Sequence, residues 1–258
     1  MERYAIELQD LSVWYGEVQA LEKISLKVKE GDYLAIMGPN GGGKSTLLKA
    51  ILGLQEVKDG SIRLFGGTVR QNRNKIGYVP QIWTMDKDFP ITVMEVVLTG
   101  RLPRGLRLFH RYDRRDRDLA LEMLGKVGLA DLAGRKISQL SGGQFQKMMI
   151  ARALMTHPKL LLLDEPTASV DAASSQDIYE LLGELNREMT ILLVTHNVLA
   201  ISTYVGALAC LNSSLVYHGE PTLTRDVVDK MYGCPVEIVA HGVPHRVLDE
   251  HEGKGGAR

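Results

Sequence analysis

The densest chemistry in the chain lies in nine consecutive residues: Gly38, Pro39, Asn40, Gly41, Gly42, Gly43, Lys44, Ser45 and Thr46. They satisfy the pattern GxxxxGK[ST]. Glycines let a backbone curl until its N–H groups face an anion, and a following helix adds its N-terminal partial charge. In such a loop the Lys44 ammonium reaches the β- and γ-phosphates of a nucleoside triphosphate, and Ser45 offers a hydroxyl to Mg²⁺. An apolar run at 33–37 (YLAIM) precedes the loop, and a helical run at 47–52, closed by Gly53, follows it. That is the strand–loop–helix setting in which the motif binds phosphate.

Triphosphate chemistry also needs carboxylates. Residues 160–165 read LLLLDE, a buried-strand run that ends in Asp164 and Glu165. Side chains alternate at a strand end, so one acid can reach a metal while the next meets the attacking water. Asp164 is assigned to Mg²⁺ and Glu165 to polarising the water as general base. A third constellation is Ser141, Gly142, Gly143 and Gln144, which follow Leu140 and open a helical run at 145–154. Small residues at a helix N-terminus make an anion site. Ser141 with Gln144 also reads as a capping box.

These groups must be held by an α/β scaffold. Continuous apolar runs at 33–37, 76–79, 160–163 and 190–195 suit the centre of a parallel sheet. Residues 24–28 and 61–65 alternate instead, as half-buried antiparallel strands do, the second after a Lys58-Asp59-Gly60 turn. From about 82 to 156 the periodicity turns helical, at 92–98, 119–127 and 145–154, with Pro90 and Pro103 as punctuation. This stretch is expected to be a helical insertion. Beyond Pro221 the pattern weakens, which sets off 221–258 as a short extension from a domain at 1–220.

In this order the motifs resemble the ATP-binding subunits of ABC transporters, over about residues 6–219. The resemblance implies a P-loop NTPase (RecA-like) core with an antiparallel β subdomain and an inserted helical subdomain. It implies ATP and Mg²⁺ as ligands and ATP hydrolysis as the reaction. Residues 140–144 (LSGGQ) match the signature that contacts the γ-phosphate held on the partner subunit of a head-to-tail homodimer. Tyr15, in Val13-Trp-Tyr-Gly16, matches the aromatic that stacks on adenine, with Trp14 the competing residue. Gln81, in Tyr78-Val-Pro-Gln81, matches the glutamine that senses Mg²⁺ and water and links to the membrane partner. Asp171, in Ser169-Val-Asp171, falls in the loop that crosses the dimer interface. His196 matches the switch histidine that contacts the γ-phosphate and orients Glu165. Two positions depart from the family's wording: Asn197 where Asp is usual, and SVD where ALD is usual.

The segment 89–101 implies a groove for a cytoplasmic helix of an integral membrane permease. Its wording and that of the tail, with Cys234, His241, His245 and His251, are similar to the zinc and manganese uptake branch. Importers of ferric siderophores or cobalamin share the Gly100-Arg101 style, and a soluble iron–sulfur assembly ATPase has similar length. An importer reading implies an extracytoplasmic binding protein acting through the permease, with this chain peripheral on the cytoplasmic face of the membrane. The tail histidines are zinc-ligand types, but Gly242 and Pro244 break any helix that would align His241 with His245. The tail is therefore expected to pack rather than to hold metal.

Composition excludes other classes. The 258 residues carry 31 basic and 31 acidic side chains, a net charge of zero that argues against a nucleic-acid-binding protein. Cys210 and Cys234 are too few for a disulfide framework. No window approaches the roughly 20 apolar residues that span a bilayer, and the N-terminus lacks a signal-peptide run, so a cytosolic chain is expected. Residues 101–118 hold seven arginines against three aspartates, and are read as a solvated face of the helical insertion rather than a contact with lipid or permease.

Overall fold

The computed structural model describes residues 2–81, 89–101, 111–168, 170–196, 204–221, 224 and 227. The chain runs β1 (Tyr4–Tyr15), β2 (Val18–Lys29), β3 (Tyr33–Met37), α1 (Lys44–Ile51), β4 (Asp59–Leu64), β5 (Gly67–Thr68), α2 (Val69–Asn72) and β6 (Ile76–Val79). It continues through α3 (Val93–Leu98), α4 (Arg114–Lys126), α5 (Gly142–Leu154), β7 (Leu160–Asp164), α6 (Ala172–Asn186), β8 (Thr190–Val194), β9 (Ala207–Asn212) and β10 (Ser214–Gly219). Two sheets result. One is four-stranded, β2-β1-β4-β5, and antiparallel throughout. The other is six-stranded, β10-β9-β3-β8-β7-β6, and parallel except for β10 at its edge.

The apolar runs form strands because both faces of the large sheet are covered. Leu34, Ile36, Leu160, Leu162, Leu192 and Val194 point to one core, shared with β1, β2 and α1. Tyr33, Ala35, Met37, Leu161, Leu163, Ile191 and Leu193 point to the other, shared with α3 to α6. The period of two along each strand thus assigns alternate side chains to separate cores. Each fully buried leucine contributes about 1.5–3 kcal/mol.

Between β6 and β7 the described residues are helical. Both arms of a capping box start α3 at Thr92 and Glu95, and α4 at Asp113 and Asp116. Arg101 lies 3.5 Å from Asp116, and Arg114 lies 3.8 Å from Asp118. The three aspartates of the arginine-rich stretch are therefore used within the insertion, while residues 102–110 fall outside the described set. So do 197–203 and nearly all of the tail, including Cys234 and the histidines at 241, 245 and 251.

β3, β6, β7 and β8 lie parallel, so their carboxyl ends share one edge of the sheet. The glycine loop leaves β3, Gln81 follows β6, Asp164 ends β7 and His196 follows β8. In open α/β sheets this is the edge where ligands bind.

Candidate functional site

The loop 38–43 turns tightly and closes on Gly42 N–H donating to the Pro39 carbonyl at 3.0 Å. It is packed as well as curled. A Cβ at Gly38 would overlap the Leu211 carbonyl oxygen, and one at Gly43 would lie 2.5 Å from Leu21 Cδ2 and 2.7 Å from the Ala20 oxygen. Gly43, with φ of 90°, is also the N-cap of α1 and offers no side-chain acceptor, and no acidic residue occupies the first turn. The helix N-terminus is thus left open to an outside anion.

Lys44 and Asp164 are both buried. Lys44 Nζ donates to the Gly38 and Pro39 carbonyls at 2.9 and 2.8 Å. Burial holds its ammonium below the usual lysine pKa, although Glu165 and Asp164 pull the other way. Burial likewise pushes the Asp164 carboxyl up, against the lowering effect of a hydrogen bond from Ser45. Each charge therefore lacks a full counter-charge. This is the donor set that a phosphate and a hard divalent cation would complete: an ammonium for one, a hydroxyl and a carboxylate for the other.

Glu165 does not continue the strand. Its φ is +48° and its N–H donates to the Val194 carbonyl at 2.9 Å. A left-handed residue, not strand alternation, separates its direction from that of Asp164. The carboxylate meets two partners at one oxygen: Gln81 Nε2 donates to Oε2 at 3.0 Å, and His196 Nδ1 lies 3.3 Å from the same atom. Glu165 is 11% exposed and His196 62%. A cleft of about 650 Å³ is lined by Gly38, Lys44, Ser45, Gln81, Glu165 and His196 together with Pro39, Asn40, Gly41, Gly43 and Thr46.

The remaining sequence-selected residues lie elsewhere. Ser141 Oγ accepts from the Gln144 N–H at 3.2 Å and Gln144 Oε1 from the Ser141 N–H at 3.1 Å, a complete capping box on α5. Gly142 is exposed and Gly143 buried. A Cβ at Gly143 would come within 2.7 Å of Ser174 Cβ. Asp171 caps α6 by accepting from the Ser174 N–H at 2.9 Å. The LSGGQ segment and Asp171 therefore meet at Ser174, and none of them lines the cleft. Tyr15 is 45% exposed at the end of β1, facing Val18, whereas Trp14 is half-buried under Lys58 Nζ at 5.8 Å from its ring centre. Ser169 and Asn197 lie outside the described residues. Reading along the chain did not disclose the support from Leu211 and Ser213, whose N–H donates to the Gly42 carbonyl at 3.0 Å, because β9 and β10 meet the loop only through folding.

A phosphate loop at the carboxyl edge of a parallel sheet, with a strand-end carboxylate behind its serine, defines a P-loop nucleoside triphosphatase. The chain belongs to the ABC transporter family, whose model matches residues 21–168. It is 43% identical to the zinc uptake system ATP-binding protein ZurA of Listeria innocua, over 83% of this chain and 85% of that protein. It is 41% identical to the manganese transport system ATP-binding protein MntB of Bacillus subtilis, over 89% and 93% respectively. A bacterial ABC transporter cassette solved as a dimer superposes with a TM-score of 0.71 at 30% identity, covering 85% of this chain and all of that one. The chain is thus an ATPase subunit whose hydrolysis of ATP is coupled to transport. Importer subunits of this family form dimers and work with membrane permeases. Among the described residues no helix is long and apolar enough to cross a membrane.

Proposed function

We propose that the chain powers uptake of zinc or manganese by hydrolysing ATP in the cleft beside Lys44. The observation that carries the catalytic part is the convergence of Gln81 Nε2 and His196 on one oxygen of Glu165. The names of the relatives support the cargo. Residues 38–46 cradle the phosphates, and the exposed Tyr15 offers a platform for the adenine. Ser45 and Asp164, with Gln81 nearby, would hold Mg²⁺, which when bound neutralises phosphate charge. Lys44 balances charge on the β- and γ-oxygens. Glu165 accepts a proton from the water that attacks the γ-phosphorus as the bond to the β–γ bridging oxygen breaks and ADP leaves, and His196 and Gln81 fix the direction of its carboxylate.

Ser141, Gly142, Gly143, Gln144 and Asp171 face a second copy of the chain across the nucleotide in a head-to-tail homodimer. Their place outside the cleft favours this arrangement, since a signature that contacts phosphate must then do so from another subunit. A groove of about 590 Å³ between the core and the helical insertion suits the cytoplasmic helix of the permease. It is lined by Leu54, which is 71% exposed, with Tyr78, Gly100 and Arg101. The subunit then sits on the cytoplasmic face of the membrane, with an extracytoplasmic binding protein delivering cargo to the permease.

The test uses cells that lack the chain and carry either the wild type or Glu165→Gln. Wild type should restore zinc or manganese accumulation under limitation and Glu165→Gln should not. The purified variant should bind ATP while losing about 10²- to 10⁴-fold in turnover. Normal turnover would remove Glu165 as the base, and unchanged accumulation of both metals would remove the cargo assignment.

A further inference from the structure

Glu165 and His196 sit on two separate loops, and their mutual direction has to be maintained by something behind them. The Tyr179 side chain on α6 touches the turn that carries Glu165. Its hydroxyl shares a hydrogen bond of 2.7 Å with Thr167 Oγ1, two residues beyond Glu165. The turn between them is closed by the Ala168 N–H donating to the Glu165 carbonyl at 3.2 Å. The Tyr179 ring stacks on Tyr204, centroids 6.1 Å apart and planes inclined by 23°. Tyr204 resumes the described chain after His196, and its own hydroxyl reaches Glu180 Oε1 at 3.5 Å.

The Tyr179 hydroxyl is not simply a consequence of burying a ring there. Tyr33 lies in the same apolar cluster, close enough to feel Tyr179 and Tyr204 electrostatically, and is equally buried. Its hydroxyl has no hydrogen-bond partner among the described residues. The cluster therefore accommodates a phenol without using it at position 33, and uses one at position 179. α6 is fixed at its start by Asp171, which caps Ser174, and by Ser175 Oγ donating to the Val170 carbonyl at 3.4 Å. Ser175 and Tyr179 lie one turn apart on the buried face of the helix. The helix thus holds Thr167, Val170 and Asp171 along one side.

We infer that Tyr179 is a positioning residue for ATP hydrolysis. Its hydroxyl, through Thr167, fixes the turn that aims Glu165. The inference rests on the assignment of Glu165 as the base. It predicts an effect on turnover and not on nucleotide affinity, because Tyr179 does not line the cleft.

The experiment is steady-state ATPase kinetics and ATP titration on the chain in six variants: Tyr179→Phe, Thr167→Val, the double variant Tyr179→Phe/Thr167→Val, Thr167→Ser, Tyr33→Phe and Glu165→Gln. Tyr179→Phe and Thr167→Val should each lower kcat about threefold to tenfold, as expected when one partly buried hydrogen bond is lost. KM and ATP affinity should stay within about twofold of wild type, the mark of an interaction that counts only in the transition state. The double variant should be no worse than either single, since both delete the same bond. Thr167→Ser, which keeps the hydroxyl, should retain kcat, and Tyr33→Phe should leave it unchanged. Wild-type kcat in Tyr179→Phe, with Glu165→Gln inactive, overturns this inference and leaves the base assignment standing. Turnover retained in Glu165→Gln overturns both. Equal losses in Tyr33→Phe and Tyr179→Phe would mark general loosening of the cluster and also overturn it. Should Tyr179→Phe not fold, the contrast between Thr167→Val and Thr167→Ser decides alone.

Discussion

Three glycine-to-alanine changes separate what packing demands of the phosphate loop from what backbone conformation demands. At Gly38 an added Cβ would overlap the Leu211 carbonyl oxygen and lie 3.0 Å from its carbonyl carbon. Both are backbone atoms of β9, so no side-chain rotation relieves the contact, and the loop or the strand must move. Overpacking of that kind costs about 3 kcal/mol or more. Gly41 has φ of +81° and nothing within 4 Å of a new Cβ, so Gly41→Ala incurs only left-handed strain, about 1–2 kcal/mol. Gly125, exposed near the end of α4, also has open space but an ordinary φ. Gly125→Ala should stabilise the chain by roughly 0.5–1 kcal/mol through a stiffer unfolded state and better helix propensity. In a chain of this size each kcal/mol shifts Tm by about 2–4 °C. Thermal unfolding without nucleotide should therefore order the variants Gly125→Ala above wild type, then Gly41→Ala, then Gly38→Ala lowest, at least roughly 6 °C below wild type. A Gly38→Ala protein as stable as Gly41→Ala would refute the argument, because it would mean that the loop does not lean on Leu211.

Two further expectations concern charge and the aromatic pair. Burial raises the Asp164 carboxyl above the ordinary aspartate value of 3.8, so the native state keeps this proton at a pH where the unfolded chain has lost it. That stabilisation is full below the unfolded value and is lost as pH rises through the folded one. Asp164→Asn, measured without nucleotide or divalent cation, should accordingly melt above wild type at neutral pH and converge with it on acidification to about pH 4. A wild type more stable than Asp164→Asn at neutral pH would contradict the sign. For the aromatics, Tyr15→Ala should leave Tm nearly unchanged while weakening ATP binding by about 1–3 kcal/mol, the worth of one base stacked on a ring. Trp14→Ala should lower Tm, since its half-buried ring packs under Lys58, and leave affinity alone. ATP titration and melting of both variants check this, and the reverse pattern would move the base platform to Trp14.

The parts of the fold that could be read from the chain are those whose signal is local and periodic. The strand runs at 33–37, 76–79, 160–163 and 190–195 coincide with β3, β6, β7 and β8 to within a residue. β3, β7 and β8 lie inside the sheet with both faces covered, whereas β6, expected at the centre as well, forms the edge opposite β10, and its Tyr78 is only half-buried. β1 gave no comparable signal. Its pairing with β2 slips between Leu8 and Leu11, where Asp10 adopts φ of +46°, and the irregularity breaks the alternation that marks a half-buried strand. The antiparallel runs at 24–28 and 61–65 were visible only in part, as portions of β2 and β4. In the site, the glycine loop was legible because its chemistry is contiguous. The hydrogen bond between Gln81 and Glu165 joins residues 84 apart, and the packing of Gly38 on Leu211 depends on a strand far down the chain. Neither contact leaves a mark on local sequence.

The two groups of site residues are physically joined within one chain, and α6 joins them. At its first turn Ser174 meets Gly143, so the LSGGQ segment rides on the start of this helix. One turn later Tyr179 reaches the turn behind Glu165. Under the proposed head-to-tail arrangement, the surface offered to the partner's nucleotide and the base acting on the chain's own nucleotide are thus fixed to a single helix. A shift of α6 on closure would carry both at once, because packed elements move as units rather than deforming continuously. Asp171 belongs to this device in its own right. It is exposed and caps α6, so the interface position proposed for it and its structural role are compatible rather than competing. The same holds for Ser141, whose oxygen caps α5 by accepting from the Gln144 N–H. A residue that caps a helix in the single chain can therefore also be the one that presents that helix end to a phosphate on the other.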